Sequence, residues 1–174
     1  MITVFLRQIV FLAFCGLLAG CGLAQKVTDG TISVTQSIFY KKRKILHLDF
    51  EPRAAANADE AQTSLATMIQ VWQLKDRQKV DAADYQKLLR DADSVLKEDI
   101  LASKSLLVMP KGSVILNMPM SEEAEYVAVV GLFNRPDMKN NAWKLVLTRD
   151  DLDPDKPRTI ELGNGFLTLI PVKE

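Results

Sequence analysis

The sequence predicts a mostly β protein, a β-sandwich of about seven or eight strands with one short helical insertion. Three observations carry that expectation. From residue 45 onward, short runs of alternating apolar and polar residues recur, the pattern of half-buried strands. Clusters of Gly, Pro, Asn and Asp separate them at fairly regular intervals, as in an all-β sandwich. One stretch, at about residues 82–103, places its apolar side chains at helical spacing instead.

In chain order, the N-terminal segment comes first. Arg7 is the only charged side chain before Cys21, residues 9–18 (IVFLAFCGLL) form an apolar core, and Ala19 and Gly20 supply a small-residue cleavage site. An apolar run of this length suits a signal peptide, whereas a spanning helix takes about 20 apolar residues. Residues 1–6 are apolar too, so an uncleaved anchor over residues 1–23 is the alternative, and an apolar stretch with no targeting role is a third reading. The run closes in LLAGC, which resembles the bacterial lipobox, Leu-Ala-Gly-Cys. In lipoproteins that cysteine is acylated and becomes the first residue of the mature chain. The resemblance therefore implies a signal peptide over residues 1–20, lipid attachment at Cys21 and a lipidated tether over residues 21–39. A single acyl chain holds a membrane only marginally, but more than one makes attachment effectively permanent. Gly22 and Leu23 follow with no aspartate beside the cysteine. By resemblance to Gram-negative sorting rules, this favours the periplasmic face of the outer membrane.

Cleavage before Cys21 removes 20 of 174 residues and leaves 154, enough for one domain with a substantial core, expected over residues 40–174. Lys+Arg and Asp+Glu number 22 each, and loss of Arg7 leaves 21 against 22. That balance gives no electrostatic footprint for nucleic acid. Cys15 leaves with the signal and Cys21 is lipidated, so the core must hold the fold without a disulfide. His47 is the sole histidine, which leaves no His/Cys metal cluster and no Cys–His pair. No phosphate-cradling glycine motif is present. Asp91, Asp93, Glu98 and Asp99 interleave with Arg90 and Lys97 as the solvated face of a helix. Asp150, Asp151, Asp153 and Asp155 surround Pro154 and Pro157 as a polar turn; a calcium site there lacks the EF-hand glycine and terminal glutamate. The expectation is a protein that is not an enzyme and carries no cofactor beyond the covalent lipid.

A short strand at residues 31–34 is expected within the tether, followed by KKRK at residues 41–44, a solvated strand entry or a contact to lipid phosphate or a partner. Residues 45–50 alternate, with Leu46, Leu48 and Phe50 on one side and His47 on the other. Residues 65–74 (LATMIQVWQL) form a longer strand, with Met68, Trp72 and Leu74 on one face and Ile69 and Val71 on the other. Asp81 is placed to cap a helix over residues 82–92, where Tyr85, Leu88, Leu89 and Ala92 recur at helical spacing. A second helical turn is expected at residues 94–102. Strands resume at residues 105–109 and 114–118 around a PKGS turn, then at 126–133, the most strand-like run, and at 143–148. A last hairpin joins residues 159–162 to 166–172 through Gly163-Asn164-Gly165.

Between the first two strands lies EPRAAANADEAQTS, residues 51–64. It has no large apolar side chain to bury and is long for a hairpin connection, so it reads as a functional or merely variable loop. Its alanines also suit a short helix capped by Asn57 or Asp59.

The order of these features resembles the TssJ family, the outer-membrane lipoproteins of the bacterial type VI secretion system. The family's strand ending in Tyr/Trp-Gln-Leu-Lys-Asp is matched by Trp72, Gln73, Leu74, Lys75 and Asp76, and its short helix with an aromatic and leucines by Tyr85, Leu88 and Leu89. Its Pro-Gly turn is represented by Pro110-Lys111-Gly112. Its aliphatic strand is matched by Tyr126, Val127, Val129, Val130, Gly131 and Phe133, and its next tryptophan by Trp143. Ala58 follows Asn57 where the family often has Asn-Pro. The resemblance implies a transthyretin-like/C2-like β-sandwich, monomeric as a soluble domain. It also implies that the chain binds the periplasmic C-terminal region of the inner-membrane protein TssM. By position, the implied partner loop here is Arg53, Ala54, Ala55, Ala56, Asn57, Ala58, Asp59, Glu60, Ala61 and Gln62. Trp72 and Trp143 are expected in the core. Two other classes stay open on the residues alone: a generic periplasmic lipoprotein sandwich binding a small ligand or peptide, and an enzyme using paired carboxylates.

Overall fold

The computed structural model describes residues 44–172. The signal peptide, Cys21, the expected strand at residues 31–34 and all of KKRK but Lys44 lie outside them. Among the described residues, eight strands form two four-stranded sheets: β1 (Ile45–Pro52), β2 (Thr67–Leu74), β3 (Ile100–Val108), β4 (Val114–Pro119), β5 (Tyr126–Leu132), β6 (Lys144–Thr148), β7 (Arg158–Leu162) and β8 (Leu167–Leu169). The first sheet has the order β4-β1-β7-β8 and the second β3-β2-β5-β6. Every neighbouring pair is antiparallel except β1 and β7. The expected mostly β sandwich with a helical insertion is what the chain forms.

The strand periodicity predicts the core well. Leu46, Leu48 and Phe50 of β1 are buried, while His47 lies on the outer face with Nδ1 2.6 Å from Oδ1 of Asn117, its directly opposite partner on β4. From Val71 to Leu74, β2 is buried on both faces. Ile69 and Val71 point into the sandwich opposite Gly131 and Val129 of β5, and Trp72 and Leu74 lie on the opposite face, where Trp72 lines a groove together with Leu88 of the helical insertion. Gln73 is fully buried between the sheets. Its amide nitrogen donates to Pro119 O (2.8 Å) and its amide oxygen accepts from Ser121 N–H (2.7 Å), so both polar ends are satisfied. Within the same motif Lys75 pairs with Glu123 (2.7 Å), and Asp76 accepts from Gln78 N–H (2.8 Å). These residues build the fold.

The insertion differs from the expected one at both ends. It comprises α1 (Gln78–Ala82) and α2 (Tyr85–Leu96), the latter interrupted at Asp91 (φ −152°). Asp81 does not cap the longer helix, because its carboxylate is held by Arg77 at 2.5 Å. Asp84 caps it, accepting from Lys87 N–H at 2.8 Å. Residues 100–102 are strand: Ile100 and Ala102 pair with Leu74 and Gln73, and each ladder step satisfies backbone groups that one more helical turn would leave open. Tyr85 anchors α2, with its hydroxyl donating to Phe133 O (2.8 Å) and its ring edge-on to Trp143 at 5.1 Å. Burial raises the Tyr85 pKa, so the hydroxyl stays a donor. Lys144 donates to the carbonyls of Val80, Asp81 and Ala83 at 2.8–3.0 Å, clamping the C-terminal end of α1, and burial lowers its pKa.

Trp143 and Trp72 are both core residues, 0% and 3% exposed. The indole Nε1 of Trp143 has no hydrogen-bond partner, so its contribution is packing. Trp143→Phe is therefore expected to cost only about 1–2 kcal/mol, the range for a partial loss of buried volume. Thermal unfolding checks this; a loss well beyond about 3 kcal/mol would show that Trp143 contributes more than packing, the Lys144 ammonium 5.0 Å from its ring centre being the contact to test next.

Candidate functional site

The candidate site is the connection from β1 to β2, and its length has a structural cause. β1 and β2 belong to different sheets, so the connection crosses the end of the sandwich instead of closing a hairpin. The loop is also more deeply built into the fold than its composition predicts. Ala56 and Ala58 are each 1% exposed and Asn57 is 4% exposed. Small side chains let this backbone pass close beneath its neighbours, where large ones have no room. No helix forms; an isolated bridge pairs Ala58 with Ser64.

Asn57 is the hub. It sits at φ 49°, a left-handed conformation that asparagine tolerates better than most residues. Its side chain donates to Ala66 O (3.0 Å) and accepts from Asn134 N–H (2.7 Å). Its main chain donates to Gly163 O and accepts from Leu65 N–H, both at 3.3 Å. The next amide, Ala58 N–H, donates to Oδ1 of Asn164 (2.9 Å). A proline at position 58 has no N–H to give, so the alanine that departs from the family's common Asn-Pro is matched by Asn164 in this chain.

The outer parts of the loop remain available. Arg53, Ala54, Ala55, Glu60, Ala61 and Gln62 are exposed and Asp59 is half-buried. Asp59 organises the tip: its carboxylate accepts from Thr63 N–H (2.8 Å) and its carbonyl from Gln62 N–H (3.2 Å). Arg53 is held by Glu161 at 2.5 Å and lies 5.4 Å from the centre of the Phe166 ring. Hydrogen bonding to Glu161 raises the Arg53 pKa, so the guanidinium is charged at any physiological pH. Ser64 Oγ donates to Ala54 O (2.7 Å), fastening the base.

Two further segments join this end of the sandwich, and no sequence pattern links either to the loop. Residues 134–142, between β5 and β6, meet the loop through the Asn134–Asn57 bond and an Arg135–Glu60 ion pair of 3.2 Å. The Gly163-Asn164-Gly165 turn meets it through Gly163 and Asn164, and Asp137 N–H donates to Gly165 O at 2.9 Å. Gly165 has φ 95°, and a Cβ there would lie 2.1 Å from Arg135 O, so the turn requires glycine. Its Gly-Asn-Gly composition signals a turn, but nothing in sequence spacing links it to residue 57. The end therefore presents one composite surface: an exposed loop tip, Met138 (50% exposed) and Arg135.

The acidic groups do not converge: among the described residues, no three His, Cys, Asp or Glu side chains are placed to hold a metal ion. No helix among them is long and apolar enough to cross a membrane.

A family profile described as type VI secretion lipoprotein (SciN, VasD, EvfM, TssJ) matches residues 44–165. No curated protein sequence matches significantly. Among solved structures, the chain is 42% identical to a chain from a structure described as the type VI secretion protein TssM C-terminal domain from EAEC, covering 74% of this chain and 99% of that one at a TM-score of 0.68. It is 42% identical to a chain from a type VI membrane complex, with the same coverage and a TM-score of 0.71. The Serratia marcescens Lip protein, described as a membrane-bound component of the type VI secretion system, is 19% identical over 74% of this chain and 98% of its own, and its TM-score of 0.64 shows the shared fold. With its two-sheet sandwich, its helical insertion and a profile match over most of its length, the chain belongs to the TssJ family of type VI secretion lipoproteins.

Proposed function

We propose that this chain is the outer-membrane-anchored lipoprotein of a type VI secretion membrane complex. Acylation at Cys21 holds it to the periplasmic face of the outer membrane. Its sandwich binds the periplasmic C-terminal region of a TssM-type inner-membrane protein, forming a trans-envelope scaffold. The observation that carries this reading is the 42% identity, across nearly all of the matched chain, to members of structures described as the TssM C-terminal domain and the type VI membrane complex. The soluble domain is monomeric by itself and binds no nucleic acid.

The partner surface is the exposed part of the β1–β2 loop: Arg53, Ala54, Ala55, Glu60, Ala61 and Gln62, with Asp59 holding the tip. Ala56, Asn57 and Ala58, which the family resemblance also places in the partner loop, act from beneath by fixing its shape. Glu60 is the sharpest probe because its side chain is 94% exposed. Glu60→Arg reverses charge at the tip and sets two cations, at 60 and 135, against each other. Ordinary surface changes shift stability by no more than about 0.5 kcal/mol, so the thermal midpoint should barely move. Affinity for the partner's periplasmic region should fall about tenfold in titration calorimetry. Unchanged affinity would move the contact to another face of the sandwich.

A further inference from the structure

The chain contains a single Asn-Gly step, Asn164-Gly165, and it lies in the turn that meets the β1–β2 loop. Such a step is chemically weak in any protein. The glycine has no Cβ to shield its nitrogen or limit its backbone. That nitrogen can lose its proton and attack the side-chain carbonyl carbon of the asparagine, Cγ. The new N–C bond closes a succinimide ring, and the side-chain nitrogen leaves as ammonia. Water then adds to either ring carbonyl and breaks its bond to nitrogen. One opening gives aspartate. The other gives isoaspartate, whose main chain runs through the former side chain and is one carbon longer. The sum is amide plus water giving acid plus ammonia, so solvent is the sole co-reactant. Asn164 is exposed, so water reaches it.

In the folded chain both reacting groups are engaged. Gly165 N–H, which carries the nucleophile, donates to Gly163 O at 3.1 Å. Oδ1 of Asn164, on the carbon to be attacked, accepts from Ala58 N–H at 2.9 Å, which holds the side chain towards the loop. Ring closure also needs the backbone at Gly165 to turn, and that backbone is hemmed in. Gly165 O accepts from Asp137 N–H at 2.9 Å, and a Cβ on Gly165 would lie 2.1 Å from Arg135 O. The β1–β2 loop supplies the Ala58 bond and a second one, from Asn57 N–H to Gly163 O at 3.3 Å. When the loop lifts, both are lost and the Asn164 side chain is free to reach the Gly165 nitrogen. The product changes the turn. A longer main chain after residue 164 pulls Gly165 O away from Asp137 and spoils the 2.8 Å bond from Gly163 N–H to Phe166 O that closes the hairpin. It also carries the acceptor for Ala58 N–H out of place. We propose that Asn164 is a modification site that the β1–β2 loop holds shut: it converts to isoaspartate when the loop lifts, and the conversion then keeps the loop from closing.

The test ages the full chain in detergent micelles at mildly alkaline pH and follows Asn164 by peptide mapping, with enzymatic methylation to count isoaspartate. The folded chain should convert at least about tenfold more slowly than the same chain in strong urea, because reaction waits on a local opening. Equal rates would overturn the protection. Urea below the unfolding transition should already speed conversion, since the loop opens before the sandwich does. A rate that stays flat until global unfolding would overturn the role of the loop. Ala58→Pro has no N–H to give and should raise the native rate about fivefold. An unchanged rate in the folded variant would overturn the clamp at Ala58, and the urea series on the wild-type chain carries the same decision should that variant not fold. The purified isoaspartate chain should exchange the amide hydrogens of residues 53–66 at least about tenfold faster than the unaged chain. Asn164→Asp keeps the backbone and an acceptor for Ala58 N–H, so it should exchange like the unaged chain. Unchanged exchange in the isoaspartate chain would overturn its effect on loop closure.

Discussion

Asn57→Ala is expected to destabilise the domain by about 3–4 kcal/mol, although it removes only a small polar group from a loop. The truncation leaves Asn134 N–H and Ala66 C=O without their partner in a buried setting. Each orphaned group costs about 1–3 kcal/mol. Alanine must also hold φ 49°, which adds about 1 kcal/mol because its Cβ crowds the carbonyl there. Asn57→Gly separates the two contributions: it relieves the backbone but loses the same hydrogen bonds, so it should lie about 1 kcal/mol above the alanine variant. Urea unfolding of both variants measures the difference directly. A loss below about 1 kcal/mol for Asn57→Ala would show that the loop is energetically independent of the sandwich. The expected result also governs how the loop is probed. Replacing residues 54–62 by a Gly-Ser linker would remove Asn57 and Ala58 together with the tip. Loss of binding in that variant would then report unfolding as readily as a lost contact, whereas changes at Glu60 or Gln62 leave the hub in place.

The strands were legible because their periodicity records burial directly. Leu46, Leu48 and Phe50 alternate with His47 and Asp49, and the structure places them on opposite faces of β1 as the period of two requires. Trp72 and Trp143 were legible as core because large aromatic side chains on apolar strands have nowhere better to go. The burial of residues 56–58 in the loop is not legible, for an equally physical reason. Composition reports which side chains want burial, and alanines and an asparagine express no strong preference. Their burial is decided by tertiary contacts to residues 134, 163 and 164, which lie far away in sequence. The crossing between sheets was invisible for the same reason, since hydrophobic spacing does not reveal which strands pair. The end of the helical insertion was misplaced because Ile100 and Leu101 suit either a helix or a strand, and pairing with β2 settles the choice. The composite surface around the loop is a product of these long-range contacts. Sequence reading reached it only through family resemblance, and only in its first segment.

Cys21→Ser is expected to abolish membrane attachment while leaving the sandwich unchanged. Among the described residues the first strand begins at Ile45, and the core is filled from residues 46–167, which the substitution leaves untouched. On the proposed acylation, attachment depends on it entirely. Each buried methylene contributes about 0.8 kcal/mol, and one myristoyl-length chain reaches only a marginal association constant of about 10⁴ M⁻¹. Several chains on one cysteine multiply such constants, and a serine hydroxyl carries none of them through the thioether route. The variant should therefore leave the membrane pellet, incorporate no labelled palmitate and fail to support secretion, with its thermal midpoint unaltered. The wild-type chain separates the two readings of the N-terminus. An uncleaved anchor over residues 1–23 would retain Met1 by mass spectrometry and take up no labelled palmitate, whereas acylation predicts a labelled chain that starts at Cys21. Under the proposed function, the scaffold role would follow from tethering. A domain held at one membrane meets a partner rooted in the other at an effective concentration set by the tether, and the loss of one cysteine returns that encounter to free diffusion. Weak binding at the loop end would suffice in the tethered protein and fail in the untethered one, so secretion should respond to Cys21→Ser far more steeply than affinity measured in solution.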